Sequence, residues 1–130
     1  MSPRLPILVG GGGPRRTARI AATYADIWHT WASPSDFRRK CDVLDRHCTQ
    51  VGRDPAGIQR ATGQVVRVSP VPVPADDDVT GTPEQITEAL IQYARSRVSE
   101  FIVRDSRDAP VEETLDKMST LTTDVLPQLT

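Results

Sequence analysis

Residues 5–17, LPILVGGGGPRRT, set a short apolar run, Leu5 to Val9, ahead of four consecutive glycines, Gly10 to Gly13. Pro14, Arg15, Arg16 and Thr17 follow directly. The apolar run reads as a buried parallel strand, and the proline as a first-turn residue that opens a helix. A strand that ends in backbone without side chains and runs into a helix N-terminus directs N–H groups and the positive end of a helix dipole to one point. Such a point takes an anion, and the flanking arginines favour a phosphate. The plainer reading is a tight turn, because neither a Walker-type lysine nor a spaced GxGxxG accompanies the glycines.

Outward from this stretch, strand-like runs and amphipathic helices alternate. Pro14 to Tyr24 is expected as a helix with Thr17, Ile20, Ala21 and Tyr24 on its inner side, and Ala25 to Trp31 as the second strand. Ser33, Pro34 and Asp36 form a strong helix start. Phe37, Cys41, Leu44, Cys48 and Val51 then recur every three or four residues until Gly52 stops the helix. The third strand lies within Ile58 to Val68, with Val65, Val66 and Val68 as its β-branched core. The proline-rich and acidic stretch from Ser69 to Gly81 is expected as a loop, its run Asp76 to Asp78 solvated and without chemistry. Thr82, Pro83 and Gln85 open a helix that buries Ile86, Ala89, Leu90 and Tyr93. Glu100 to Arg104 is the fourth strand. A last helix starts within Asp108 to Pro110 and is expected to turn Val111, Leu115, Met118, Thr122, Val125, Leu126 and Leu129 inward.

The chain has 130 residues and 16 basic against 17 acidic side chains, a net charge of −1. It reads as one domain with no electrostatic pull toward nucleic acid or an anionic membrane. No apolar run approaches the ~20 residues of a membrane span, and the N-terminus lacks the pattern of a signal peptide. A soluble, cytoplasmic protein is expected, with small molecules or other chains as partners. Cys41 and Cys48 fall on one helix face about 10 Å apart, too far to bridge, and are expected reduced and buried. No metal-ligand spacing is present, so no metal is expected.

Four strand-plus-helix units in strict alternation require parallel strands and right-handed crossovers. A (β/α)8 TIM-type barrel takes about 250 residues, and this chain has half the length and half the units. The expected fold is therefore α/β, a half (β/α)8 barrel over residues 1–130, with an open flavodoxin-like sheet as the alternative. A lone half-barrel exposes strand edges and barrel-lining side chains. It is expected to pair, as a homodimer or with a complementary half-barrel chain.

The segments LPILVGGGGPRRTARIAATYADIWHTW, SPSDFRRKCDVLDRHCTQVGRDPAGI and GTPEQITEALIQYARSRVSEFIV resemble, in order, the C-terminal half of luciferase-like monooxygenases. The nearest branch is that of coenzyme F420-dependent oxidoreductases, and the family also contains FMN enzymes. The resemblance implies a flavin or deazaflavin at the C-terminal strand ends, with its phosphate held by the loop Gly10, Gly11, Gly12 and Gly13. Arg16 and Thr17 would assist by charge and hydroxyl, with Arg15 as an alternative to Arg16. Coenzyme F420 is the expected cofactor, FMN the alternative.

Trp28, His29 and Thr30 end the second strand at what would be the catalytic rim, either against a ligand or as packing. The resemblance implies Asn in many relatives at the position of His29. Arg104 and Asp105 end the fourth strand on the same rim and are read as a structural pair. The units of the family's barrel that hold much of the ring pocket have no counterpart here, so no catalytic residue is assigned. The expected function is that of a flavin- or deazaflavin-dependent oxidoreductase subunit or fragment. The alternatives are a non-catalytic dimeric half-barrel that binds a phosphorylated ligand, and a purely structural role.

Overall fold

The computed structural model describes residues 4–74 and 78–129. It is an α/β structure with parallel strand pairing and four helices. Two compact bodies are present, one holding the residues up to Gly63 with Ser96–Phe101, the other Gln64–Arg95 and the residues from Ile102 onward. Asp76 and Asp77 of the acidic run lie outside the described residues.

The first body begins with β1 (Leu8–Gly10), α1 (Arg16–Tyr24), β2 (Ile27–His29) and α2 (Pro34–Val51). It ends with a short turn at Pro55–Gly57 and the first half of β3 (Gln59–Val68). All three strands run parallel, so Gly10 lies beside His29 and His29 beside Ala61. The helix start read from Ser33 and Pro34 is present. The Ser33 hydroxyl accepts the Asp36 N–H at 3.3 Å, a cap of the kind that contributes about 1 kcal/mol. Gly52 ends α2 in the left-handed region at φ 75°, where a Cβ is disfavoured.

Phe37, Cys41, Leu44 and Cys48 are fully buried, but Val51, the last residue of α2, is exposed. Both cysteines are free thiols. The core they form with Trp28 and Ile58 also takes in Ala21, Ala22 and Ala25. This corrects the expected face of α1: the helix buries Ala18, Ala21 and Ala22, while Ile20 and Tyr24 point to solvent. Small side chains let α1 approach α2 closely, and a larger residue on that face would hold the helices apart.

In the second body the rest of β3 pairs in parallel with β4 (Val79–Gly81), Val66 beside Val79. The stretch from Ser69 to Gly81 is thus not loop throughout, and Ser69 N–H donates to Gly81 O at 2.7 Å. The capping box read at Thr82 is present in both directions. Gln85 N–H donates to Thr82 Oγ1, and Thr82 N–H donates to Gln85 Oε1. Gln85 also ties down the preceding loop through Val73 N and O. The helix α3 (Pro83–Arg95) buries Ile86, Leu90 and Tyr93 as expected, with Ala89 half-buried.

β5 (Glu100–Arg104) has the expected bounds, and α4 (Val111–Thr120) continues into a wide turn, Leu121–Val125, and a short 3-10 turn, Leu126–Gln128. The expected inner face of α4 is wrong except at Val125. Val111, Leu115, Met118, Leu126 and Leu129 are exposed, and Lys117, Leu121 and Val125 are buried. Lys117 turns inward because its ammonium pairs with Asp105 and donates to Arg104 O, which compensates the burial of its charge.

Candidate anion site at the glycine loop

The site is built where β1 ends and α1 begins. Gly11 N–H donates to His29 O at 2.8 Å, so the loop continues the parallel ladder one step past the strand. Gly11 then takes φ 130°, a conformation that L side chains rarely adopt. The Trp28 indole Nε1–H donates to Gly11 O at 2.9 Å from below, and His47 Nε2–H donates to Pro14 O at 2.8 Å from α2. Core and neighbouring helix therefore hold the loop at both ends.

α1 starts at Arg16, two residues later than the proline signalled, with Arg15 at its N-cap. No side chain caps it, and its first turn has no acidic residue. Ala18 N–H to Gly13 O and Arg19 N–H to Arg15 O are its first hydrogen bonds. The N–H groups ahead of them have no acceptor within the helix. The positive helix end is left open.

Thr17 is brought against the loop. A Cβ built on Gly11 would meet Thr17 Cγ2 at 3.0 Å, and one on Gly13 would meet Thr17 Oγ1 at 3.1 Å. Gly12 is the most confined: a Cβ there would lie 2.6 Å from Lys40 Nζ and 2.7 Å from Thr30 Oγ1. Gly10 has nothing within 4 Å of such an atom. Arg15 and Arg16 are exposed. Gly11, Gly12, Gly13 and Thr17 thus converge, while Gly10 lies in the strand and Arg16 stands at the solvent edge.

The residue absent from the sequence reading is Lys40. It reaches the loop from α2, next to Cys41 of the buried stripe. Beside it a cavity of about 250 Å³ is lined by Gly12, Gly13, Ala18, Trp28 and Val43 among others. Its scarcity was a signal, since the chain has only two lysines against many arginines. An ammonium, hydroxyls and unpaired backbone N–H groups around side-chain-free backbone make a donor set suited to an anion.

Of the rim residues, Trp28 belongs to the core and stacks on Phe37 with ring centroids 5.5 Å apart. His29 is buried, its ring meets Trp31 edge-on at 4.4 Å, and its Nε2 has no hydrogen-bond partner. Burial pushes the imidazole below its ordinary pKa, against the opposing pull of Glu100. In the second body Asp105 pairs with Lys117 and accepts from Thr114 Oγ1 at 2.8 Å, so its structural ion pair is with Lys117 and not with Arg104. Among the described residues no group of three or more His, Cys, Asp or Glu could hold a metal ion. No helix among them is long and apolar enough to cross a membrane.

No protein-family model and no curated protein matches the chain. Solved structures do. The chain is similar to a coenzyme F420 dependent tetrahydromethanopterin reductase from Methanopyrus kandleri, at 14% identity and TM-score 0.77, over 97% of this chain and 51% of that one. It has the fold of half of that protein. An F420-dependent secondary alcohol dehydrogenase in complex with an F420–acetone adduct matches at 15% identity and TM-score 0.80, over 98% and 50%. A type II Baeyer–Villiger monooxygenase from Pseudomonas putida in complex with FMN matches at 15% identity and TM-score 0.68, over 95% and 48%. The chain spans about half the length of each of these structures.

Proposed function

We propose that this chain is the cofactor-phosphate half of a luciferase-like, F420- or FMN-dependent oxidoreductase. The observation that carries this reading is the fold match over nearly the whole chain to structures that hold F420 or FMN. The donor set at the loop supports it, since Gly11, Gly12 and Gly13, the open end of α1 and Thr17 fit a phosphate group. Arg16, and Gly10 at the strand end, complete the proposed contacts. Bound there, the cofactor would supply hydride or oxygen chemistry, and this chain's residues would fix the position of its phosphate. F420 is the preferred cofactor, from the resemblance of the sequence segments.

Oxidoreductase activity on this reading requires the other half of a (β/α)8 barrel, from a second copy or a complementary chain. The exposure of β1 and the residues before it favours such pairing: Leu8 at the start of β1 is 49% exposed, and Leu5 and Ile7 ahead of it are 79% and 47% exposed. A folded species of monomer mass in sedimentation equilibrium overturns pairing with a second copy and leaves the complementary chain. The cofactor reading is tested by titrating the chain into F420 or FMN and following fluorescence. Quenching that saturates at micromolar protein is expected. Unchanged emission for both cofactors overturns it.

A further inference from the structure

We infer that Lys40 and Thr30 form the side-chain half of the phosphate site, with Lys40 as the cation that decides its affinity for a phosphate ester. The inference rests on the phosphate reading above and adds two residues from other elements, α2 and the end of β2. Neither is part of the glycine motif.

Three observations converge. Lys40 Nζ and Thr30 Oγ1 both reach the space that a Cβ of Gly12 would fill, so the residue without a side chain is the one that faces both donors. Among the described residues Lys40 makes no ion pair and no hydrogen bond, unlike Lys117, which pairs with Asp105 and donates to Arg104 O. Thr30 is only 4% exposed, yet its hydroxyl makes no hydrogen bond among the described residues. A hydroxyl held at a buried position with no partner in the chain is available to donate to a ligand that enters beside it. Lys40 beside it is half-buried.

The helix end alone would be only a generic anion attractor. An ammonium adds a full charge to that helix end, and a lysine acts on phosphate as a point charge without demanding bidentate geometry. The adjoining cavity of about 250 Å³ is several times the ~30 Å³ share of one liquid water, so it has room for phosphate oxygens and the first atoms of the ester. The ligand class is an organic phosphate ester. A monoester such as FMN offers three terminal oxygens and a diester such as F420 two, and both kinds accept from these donors.

With two lysines in the chain, amine acetylation read by mass spectrometry tests the assignment directly. In the 130-residue protein Lys40 should acetylate well before the ion-paired Lys117. Inorganic phosphate, FMN and F420 are each tested as protecting ligand. Saturating ligand should slow Lys40 by about tenfold or more while leaving Lys117 unchanged, and the contrast between FMN and F420 identifies the ester. Lys40→Met should bind the protecting ligand roughly 10- to 100-fold more weakly, the loss expected for one charge-assisted hydrogen bond. Thr30→Val should weaken it several-fold and Thr30→Ser restore it, with urea midpoints confirming that each variant folds. If FMN or F420 binds but Lys40 reacts at an unchanged rate and Lys40→Met keeps full affinity, the inference is overturned and the phosphate reading stands. Binding of none of the three ligands overturns both.

Discussion

Trp28 donates its indole N–H to the carbonyl oxygen of Gly11 at 2.9 Å. A core side chain, stacked on Phe37 and only 2% exposed, thereby fixes the residue at which the glycine loop enters its left-handed conformation. Trp28→Phe keeps an aromatic ring in the core and removes the donor. The loss of one buried hydrogen bond and some packing should cost about 1 to 3 kcal/mol. Urea denaturation measures it, and a loss below ~0.5 kcal/mol would mean the bond does not hold the loop.

The loop glycines should differ sharply from one another. A Cβ on Gly10 meets nothing within 4 Å, so Gly10→Ala should leave the urea midpoint within about 0.5 kcal/mol of the parent. At Gly12 the added methyl collides with Thr30 Oγ1, which is fixed at a buried strand end, and displaces Lys40. Gly12→Ala should cost roughly 1 to 3 kcal/mol and weaken the proposed phosphate binding. Equal effects at the two positions would show that confinement at Gly12 is not felt.

What was legible in the sequence was whatever short-range chemistry dictates. Ser33 with Pro34, Thr82 with Gln85 and the stop at Gly52 each satisfy backbone groups within four residues, and each is present as read. The faces of α1 and α4 were misread for a different reason: each helix carries two stripes, and tertiary partners select between them. The alanines of α1 win because α2 lies close. Lys117 goes inward because Asp105 waits there. β4 carried no signal, since three residues after a proline-rich stretch become strand only by pairing with β3. At the site, the glycines and Thr17 were visible as a contiguous motif. Lys40 was not, because 28 positions separate it from Gly12 and only the packing of α2 beside the loop brings them together.

Arg60 is an anchor of the first body. Its guanidinium, 7% exposed, donates to Cys41 O and Pro55 O at 3.2 Å each and pairs with Asp45. Burial opposes its charge, but hydrogen bonds with Cys41 and Asp45 more than compensate and hold its pKa above the ordinary value. Asp45→Ala strands this cation and should cost about 3 kcal/mol, whereas Asp45→Asn keeps an acceptor and should cost less. Arg97 also pairs with Asp42 and Asp45 but is 39% exposed, so Arg97→Ala should cost under ~1 kcal/mol. Comparison of urea midpoints checks the order, and a larger loss from Arg97→Ala would reverse it.

Stability should fall in acid partly through Asp26. Its carboxylate accepts the Ile7 N–H at 2.7 Å and pairs with Arg4 at 2.8 Å. The Ile7 hydrogen bond first, and then Arg4, hold its pKa below the usual carboxylate range. A depressed folded-state value means the contribution is complete above the unfolded value near 3.9 and is lost as pH falls through the folded value. Urea midpoints followed from pH 6 downward should therefore drop more steeply below about pH 4 in the parent than in Asp26→Asn. Parallel curves would remove Asp26 from the acid response.

Cys41 and Cys48 supply an internal reporter of the first body. Both thiols are fully buried, and burial raises both pKa values; at Cys41 the hydrogen bond and charge of Arg60 oppose the rise without cancelling it. Only the thiolate reacts with aromatic disulfide reagents, so the native chain at pH 8 has two independent barriers to labelling, a closed core and too few thiolates. Labelling should be negligible in buffer and reach two thiols per chain in urea. Between these limits its rate should follow the opening of the core that also holds Trp28 and Phe37. Asp45→Ala, which leaves Arg60 beside Cys41 without its carboxylate, should raise the labelling rate through two routes, a less stable core and a less opposed cation at the sulfur. The routes separate by pH: loss of stability scales labelling alike at every pH, whereas a lowered thiol pKa shifts the pH profile, at Cys48 as well as Cys41 because Arg60 and Asp45 act on both. Rapid labelling of both cysteines in the native parent would contradict the packed stripe of α2.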